Sequence, residues 1–334
     1  MSNDTLARAD EFVAAGQHQQ AITVLRDALA SERNLDLESR LLSIRHSAFD
    51  AMTHPAGPAE WPASIPDSFG GTGLPEVSAE DLSADLIAAA LANRGALIVR
   101  GLVDPTRAAS LRSVIDRAFE GAARLREDPS SDTRPDLVPF EPDERHPFGP
   151  YERAFANFGS GVLGVDSPSA MYEMTEALEA AGMRGIMTDY FHEPPAFSVK
   201  KTTLRRTAPG SLAGWHQDGA FLGTDTRALN VWTALSPCGA DAPGLDVFAH
   251  RFDHLVPTGG DKIYDWSVSD DTASTYDASQ IERPIFDTGD ALLFDHMTLH
   301  RTGVDPSMTA TRYAIEMWFF APSTYPTEQI PILF

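Results

Sequence analysis

The chain has little cysteine, comparatively few basic residues and no long apolar run. Cys238 is the only cysteine among 334 residues, which excludes a disulfide framework and any metal site built from several cysteines. Lysine and arginine number 26 against 48 acidic residues, a formal net charge of −22. A surface that negative repels nucleic-acid backbones. No run of about 18 apolar residues is present, so no membrane-spanning helix is predicted.

The first residues, MSNDTLARADEF, also lack the basic start and apolar stretch of a signal peptide. Together with the shortage of cysteine, this favours a reducing compartment. We therefore expect a cytoplasmic protein that acts on a small molecule, with neither nucleic acid nor a membrane as its partner.

Residues 1–52 have the apolar spacing of helices, on both sides of Gly16 and again from Leu37 towards Met52. The pair around Gly16 resembles one tetratricopeptide unit, which would bind a protein partner. A single unit cannot bury its own apolar face, so we favour a helical extension packed on the main domain. Residues 53–78 contain five prolines and predict a linker.

The rest of the chain, 79–334, changes character half-way. Helical patterns cover Ala79–Asn93, Asp104–Glu120 with Asp104 as N-cap, and Ser169–Tyr190. Residues 125–160 are polar and proline-rich, which indicates a lid or a segment without regular structure. Residues 159–164 spell G-x-G-x-x-G, but no convincing strand precedes them, which disfavours dinucleotide binding.

Short β-rich runs separated by turn clusters follow. They are Phe197–Arg206, Ala213–Gln217, Leu229–Leu235, Leu245–Phe248, Ala291–Asp295 and Arg312–Phe320. Many short strands of this kind are typical of a sandwich or barrel. The sequence therefore predicts an α+β fold with a C-terminal antiparallel β core.

The strongest local motif is GWHQDG at residues 214–219. On a strand, His216 and Asp218 would point to the same face and form two corners of a metal site. The third ligand would come from elsewhere, and the candidates are His250, His254, His296 and His300. Two histidines and a carboxylate leave coordination positions open, as in non-haem Fe(II) oxygenases.

Arg312 opens the last strong β-rich run. A buried arginine on a core strand is costly without an anionic partner. A dicarboxylate cosubstrate would supply one.

Taken together, residues 96–320 resemble the phytanoyl-CoA dioxygenase family of Fe(II)/2-oxoglutarate-dependent oxygenases. The matching segments are ALIVRGLVDPTRAASL, GWHQDGAF, NVWTAL, GDALLFDHMTLHRTG and TATRYAIEMWF. The resemblance implies a double-stranded β-helix core, jelly-roll or cupin-like, within residues 79–334.

The resemblance also implies site roles. His216, Asp218 and His300 would bind iron, since the LHRTG motif fits the distal histidine better than His296 does. Arg312, helped by Thr302, would bind the distal carboxylate of 2-oxoglutarate. The remaining implied cosubstrate contacts are Trp232, lining the pocket, and Thr203.

The implied reaction uses O2 and 2-oxoglutarate to hydroxylate an unactivated C–H bond of a small molecule, releasing succinate and CO2. The aspartate in the H-x-D motif disfavours halogenation. Two alternatives stay open: a non-redox cupin-type metalloenzyme, and an inactive binding protein that uses its N-terminal helices. The basic residues Lys200, Lys201, Arg205 and Arg206 are expected to balance surface acids.

Overall fold

The structure is a computed structural model that describes residues 2–52, 61, 65–149, 153, 161–211, 214–258, 265–326 and 328–334. A larger and a smaller β-sheet enclose one apolar core, and helices cover the other face of the larger sheet. The α+β prediction with a jelly-roll core is confirmed.

The described helices are α1 (Ser2–Ala14), α2 (His18–Ser31), α3 (Leu35–Ala51), α4 (Ala84–Arg94), α5 (Pro105–Glu127), α6 (Pro168–Ala180), α7 (Met183–Phe191), α8 (Gly219–Leu222) and α9 (Asp270–Ala273). The predicted cap of α5 is present, because the Asp104 carboxylate accepts from the backbone N–H groups of Thr106 and Arg107. None of the described helices is long and apolar enough to cross a membrane.

The described strands are β1 (Glu76–Ser78), β2 (Ala96–Arg100), β3 (Gly161–Leu163), β4 (Ala196–Thr207), β5 (Ala228–Ala234), β6 (Gly244–Phe248), β7 (Ile281–Glu282), β8 (Ala291–Phe294), β9 (His300–Gly303), β10 (Arg312–Phe320) and β11 (Pro331–Leu333). The larger sheet has the order β1-β2-β8-β5-β10-β4-β11, with β3 also paired to β4. The smaller sheet has the order β7-β6-β9.

Side chains alternate between the two faces of each central strand, so that one set packs between the two sheets and the other packs against the helices. On β10, Ala314 and Trp318 face the core between the sheets. Ile315 and Met317 face the helices. Because successive strand residues point to opposite faces, a strand buried on both sides reads as a nearly continuous apolar run. Polar residues at inward positions of such strands therefore stand out as candidates for function.

The structure corrects two of the predicted elements. The single helix expected over Ser169–Tyr190 is two helices, because the chain turns at Gly182 with φ 73°, a backbone conformation that glycine adopts readily. The strand expected over Ala213–Gln217 is absent from the described part of that range. Trp215 and His216 make isolated β-bridges instead.

The N-terminal helices dock on the main domain through α3 and through Arg26 of α2, which pairs with Glu176 of α6. Arg45 Nη1 donates to the carbonyl of Leu333 over 3.0 Å, and Nδ1 of His46 donates to that of Pro331 over 2.7 Å. Helices α1 and α2 pack in turn on the other side of α3 around Leu25 and Ile44. The predicted boundaries at 52 and 78, and a tetratricopeptide-like role for the first two helices, stay predictions.

Three predicted features lie partly outside the described residues. They are the linker, of which 53–60 and 62–64 are not described, the polar segment 125–160, of which 150–152 and 154–160 are not described, and the glycine motif, of which 159 and 160 are not described.

Candidate metal centre

His216, Asp218 and His300 come together inside the β core. One possible ligand atom from each residue lies within 4.8 Å of the other two. The two histidines meet through the backbone: the N–H of His216 donates to the carbonyl of His300 over 2.9 Å, and the reverse bond is 3.0 Å. The smaller sheet thus brings the H-x-D segment beside β9.

Both histidine rings are held in the same way. Nδ1 of His216 donates to the Gly214 carbonyl at 2.9 Å, and Nδ1 of His300 donates to the Thr298 carbonyl at 3.0 Å. This leaves each Nε2 available as an electron-pair donor. Burial and the neighbouring His300 lower the pKa of His216 to about 4, so that ring is neutral, as a metal ligand must be, at neutral pH.

Asp218 reaches the cluster from a different backbone conformation than the sequence suggested. Its φ of −64° and ψ of −21° are helical, and α8 begins at the next residue. The N–H of Gly219 donates to the carbonyl of His296 over 2.7 Å, which fixes this turn. His216 and Asp218 do project together, but as the end of an extended segment and the start of a helical turn.

The donor set fits a divalent metal ion. Asp218 is 1% exposed, and its Oδ1 lies 3.1 Å from Nζ of Lys201. Its Oδ2 is buried with no hydrogen-bond partner and lies 3.9 Å from Nε2 of His300. A buried carboxylate oxygen without a partner, beside two imidazole nitrogens, matches the two-histidine, one-carboxylate arrangement.

The other candidate ligands lie outside this cluster. His250, His254 and His296 do not join it. His296 is buried and places its Nε2 3.3 Å from the carbonyl of Thr224. Of the four histidines left open by the sequence, the structure therefore places His300 beside Asp218.

Arg312 is a buried cation with neutral partners. It is 3% exposed, and it donates to Thr207 Oγ1 over 3.0 Å and to the Gly244 carbonyl over 2.7 Å. Its Nε has no partner. In the described ranges no carboxylate lies within ion-pair distance, and burial lowers its pKa to about 10. Such a group favours binding of an anion.

Of the other predicted cosubstrate contacts, Trp232 and Thr302 lie near Arg312, whereas Thr203 pairs with Glu316, four residues further along β10. The guanidinium carbon of Arg312 is 5.4 Å from the ring centroid of Trp232. Thr302 is two positions after His300 on β9, so both share a face, and it pairs with Leu245, the neighbour of Gly244. Thr203 and Trp232 both pair in register with Glu316 on β10, so these three share one face of the sheet.

Sequence reasoning missed three charged residues in the interior. Lys201 Nζ lies 3.3 Å from Oε1 of Glu316, and Arg205 Nη2 lies 2.8 Å from Oε2 of the same carboxylate. The expectation that Lys201 and Arg205 balance surface acids was wrong. The available signal was spacing, because positions 201, 203, 205 and 207 alternate along β4 and the last three align with β10.

Aromatic side chains border the metal ligands. The Trp266 ring lies 5.1 Å from that of His216 and 5.6 Å from that of Phe221. Phe221 is 36% exposed and its ring lies 4.8 Å from Lys201 Nζ. This edge of the site is therefore lined by two aromatic rings, with Phe221 exposed and the Lys201 ammonium group beside it.

Three arginines of the 125–160 segment pair with acids of the helical layer: Arg134 with Asp36, Arg145 with Asp143, and Arg153 with Asp166. Asp36 belongs to α3, and Asp143 and Asp166 lie in the segments that join the helices of that layer.

Comparison with known proteins bears on this arrangement. The family model "Phytanoyl-CoA dioxygenase (PhyH)" matches residues 91–307, more than half of the chain. The chain belongs to the phytanoyl-CoA dioxygenase family. The resemblance expected from the sequence motifs is thereby confirmed. A search of curated proteins gives no match.

Solved structures with a similar fold are distant in sequence. EvdO2 from Micromonospora carbonacea var. aurantiaca, complexed with 2-oxoglutarate, is 15% identical with a TM-score of 0.45, covering 73% of this chain and 90% of that one. AviO1 from Streptomyces viridochromogenes Tue57 is 18% identical with a TM-score of 0.43, covering 72% and 97%. The epimerase SnoN, in complex with Fe3+, alpha ketoglutarate and nogalamycin RO, is 14% identical with a TM-score of 0.44, covering 71% and 83%.

Proposed function

We propose that this protein is an Fe(II)- and 2-oxoglutarate-dependent oxygenase that hydroxylates an unactivated C–H bond of a small molecule. The family to which the chain belongs supports this general class. The reaction would convert R–H, O2 and 2-oxoglutarate into R–OH, succinate and CO2. The observation that carries the proposal is a metal donor set and a buried arginine without a described carboxylate partner, enclosed by the same two sheets.

The site has two ends, one that would bind the metal and one that would bind the distal carboxylate of 2-oxoglutarate. His216, Asp218 Oδ2 and His300 would hold the metal, which when bound supplies the chemistry that oxidises a C–H bond with O2. At the other end, Arg312 would bind the distal carboxylate of 2-oxoglutarate, with Thr302 beside it. Holding both ends of the cosubstrate fixes its orientation and reduces the entropy lost in reaching a reactive arrangement.

Arg312 also weighs against the two alternatives. A non-redox cupin-type metalloenzyme would need the three metal ligands but would have no use for a buried cation without a described carboxylate partner. An inactive binding protein would need neither feature. A buried charge of this kind destabilises the fold unless a ligand neutralises it, so we infer that an anionic ligand is part of the function.

The aromatic edge formed by Trp266 and Phe221 points to a substrate that is itself largely apolar. The net charge of −22 weighs against highly anionic substrates such as coenzyme A thioesters. We therefore propose a small metabolite of low negative charge. A cytoplasmic location stays a prediction.

The test is succinate formation from 2-oxoglutarate with Fe(II) and O2, screened against a panel of metabolites. We expect succinate release that depends on one class of metabolite, abolished by Asp218→Ala. His254→Ala is the matched control, because His254 is exposed and lies outside the cluster. If Asp218→Ala released succinate at the wild-type rate, the assignment of the metal centre would be wrong.

A further inference from the structure

Lys201 lies directly against Asp218, the proposed carboxylate ligand. A positive charge at this position is unusual, because Asp218 must itself bind a cation. Lys201 Nζ is 3.1 Å from Asp218 Oδ1 and 3.3 Å from Glu316 Oε1. The ammonium group therefore lies between two carboxylates, of which Asp218 belongs to the metal cluster and Glu316 does not.

Glu316 has two further partners besides Lys201. Its Oε2 accepts from Arg205 Nη2 over 2.8 Å, and its Oε1 lies 3.3 Å from Trp318 Nε1. Its side chain is 13% exposed. Glu316 thus offers Lys201 a fixed second partner, and the Phe221 ring, 4.8 Å from Nζ, borders the ammonium group as well.

The two oxygens of Asp218 have different surroundings. Oδ1 contacts Lys201, whereas Oδ2 is buried without a partner. An acceptor that receives the ring N–H of a histidine ligand increases that ligand's ability to donate to the metal. A cation does the opposite, since it shares the same negative charge and repels a second cation nearby.

We propose that Lys201 is a resident counter-ion of the metal centre. It neutralises Asp218 before a metal binds, and Glu316 draws it away from Oδ2 so that this oxygen stays open. Lys201 and Glu316 are positioning residues, and they change metal affinity in opposite directions. This inference rests on the proposed function, because it assumes that the cluster binds a divalent metal.

The two residues are predicted to act in series. Without the lysine charge, Asp218 has its full charge for the metal, so the affinity rises. Without the Glu316 charge, Lys201 rests on Asp218 alone and competes better with the metal, so the affinity falls. When Lys201 is absent, the Glu316 carboxylate has no ammonium group to hold. Removing the Glu316 charge then has no further effect on metal affinity.

The experiment measures Mn(II) binding to the metal-free full-length protein, following free Mn(II) by electron paramagnetic resonance. We expect Lys201→Met to bind Mn(II) on the order of tenfold more tightly, and Glu316→Gln on the order of tenfold more weakly. The double variant is expected to match Lys201→Met. Arg206→Met is the matched control, because Arg206 lies on the same strand but pairs with Asp116; it should bind like the wild type.

Two further variants test the roles of Lys201 and Glu316 if Lys201→Met or Glu316→Gln fails to fold. Lys201→Gln removes the charge but keeps a polar end, and it should behave like Lys201→Met. Arg205→Met leaves the charge of Glu316 intact and frees it to attract Lys201 more strongly. It should tighten Mn(II) binding when Lys201 is present and not when it is replaced. Circular dichroism and thermal unfolding verify the fold of each variant.

Three outcomes would overturn the inference. Unchanged or weaker Mn(II) binding by Lys201→Met would show that the lysine does not oppose the metal. An equal effect of Glu316→Gln with and without Lys201 would show that Glu316 acts through space or through the fold. No Mn(II) binding by the wild type would remove the proposed function as well, whereas wild-type binding that the variants leave unaltered would contradict only the inference.

Discussion

His216 and His300 lie opposite each other in an antiparallel backbone pairing, each donating its N–H to the carbonyl of the other at 2.9 and 3.0 Å. The separation of the two rings, with centroids 4.3 Å apart, is therefore set by the main chain. Asp218 joins them because a helical turn begins at the next residue. The donor set is thus positioned by the backbone of the fold.

Arg312→Met is predicted to weaken cosubstrate binding far more than substrate binding. Removing one partner of a buried charge pair costs about 2–5 kcal/mol, so we expect the KM for 2-oxoglutarate to rise by roughly 30-fold or more. The KM for the prime substrate should change little. Steady-state kinetics with each substrate varied in turn measures both.

Arg312→Met also distinguishes an effect on 2-oxoglutarate binding from an effect on the stability of the fold. Because Arg312 has no described carboxylate partner, the ligand-free variant should be at least as stable as the wild type. Thermal unfolding with and without 2-oxoglutarate and Mn(II) measures this, and the stabilisation by 2-oxoglutarate should be lost. Equal increases in both KM values, or a large loss of ligand-free stability, would contradict the assigned role.

The low pKa of His216 predicts a pH-dependent loss of stability in the metal-free protein. The folded group titrates at about 4, against an ordinary value of 6.5. Between pH 6.5 and pH 4, His216 takes up a proton in the unfolded chain but stays neutral in the folded protein. Lowering the pH through this range therefore decreases the free energy of unfolding.

A variant without this group isolates the effect. Urea unfolding in the presence of a chelator, at pH 6.5 and pH 4.5, should show the wild type losing about 1–2 kcal/mol more than His216→Asn. The carboxylates titrate in both proteins and so do not affect the difference. Equal losses would show that His216 titrates normally.

The N-terminal helices are predicted to differ in importance. Deleting residues 2–33 removes α1 and α2, which pack on α3. The rest should fold at a lower Tm and still bind Mn(II). Deleting residues 2–51 also removes α3 and with it Arg45 and His46, which bond the carbonyls of β11. We expect that shorter protein to be unfolded or insoluble. Equal behaviour of the two deletions would contradict this difference.

Much of the site could be predicted because its residues fall in short motifs. The pairs His216–Asp218 and His300–Thr302 each span three residues, and Arg312 follows at the start of the last long strand. Local spacing predicts that His216 and Asp218 lie together, whereas the choice of His300 and the roles of Thr302 and Arg312 come from the resemblance to the family.

The interior ion pairs could not be predicted in the same way. Alternation along β4 places Lys201 and Arg205 on one face, but whether that face meets the core, and which acid lies opposite, depends on the pairing of β4 with β10. A one-residue shift in register moves a side chain to the other face of the sheet. The register between strands that are distant in sequence cannot be predicted from the local sequence pattern. The helical turn at Asp218 was missed for a related reason, because it depends on a bond to the distant His296.

The most direct test of the account is an anaerobic titration of the metal-free protein with Fe(II) and 2-oxoglutarate, followed by visible absorption. The account predicts a weak charge-transfer band that requires both ligands, is lost in Asp218→Ala, and needs much more 2-oxoglutarate in Arg312→Met. Binding of Fe(II) without this band at any concentration of 2-oxoglutarate would contradict it.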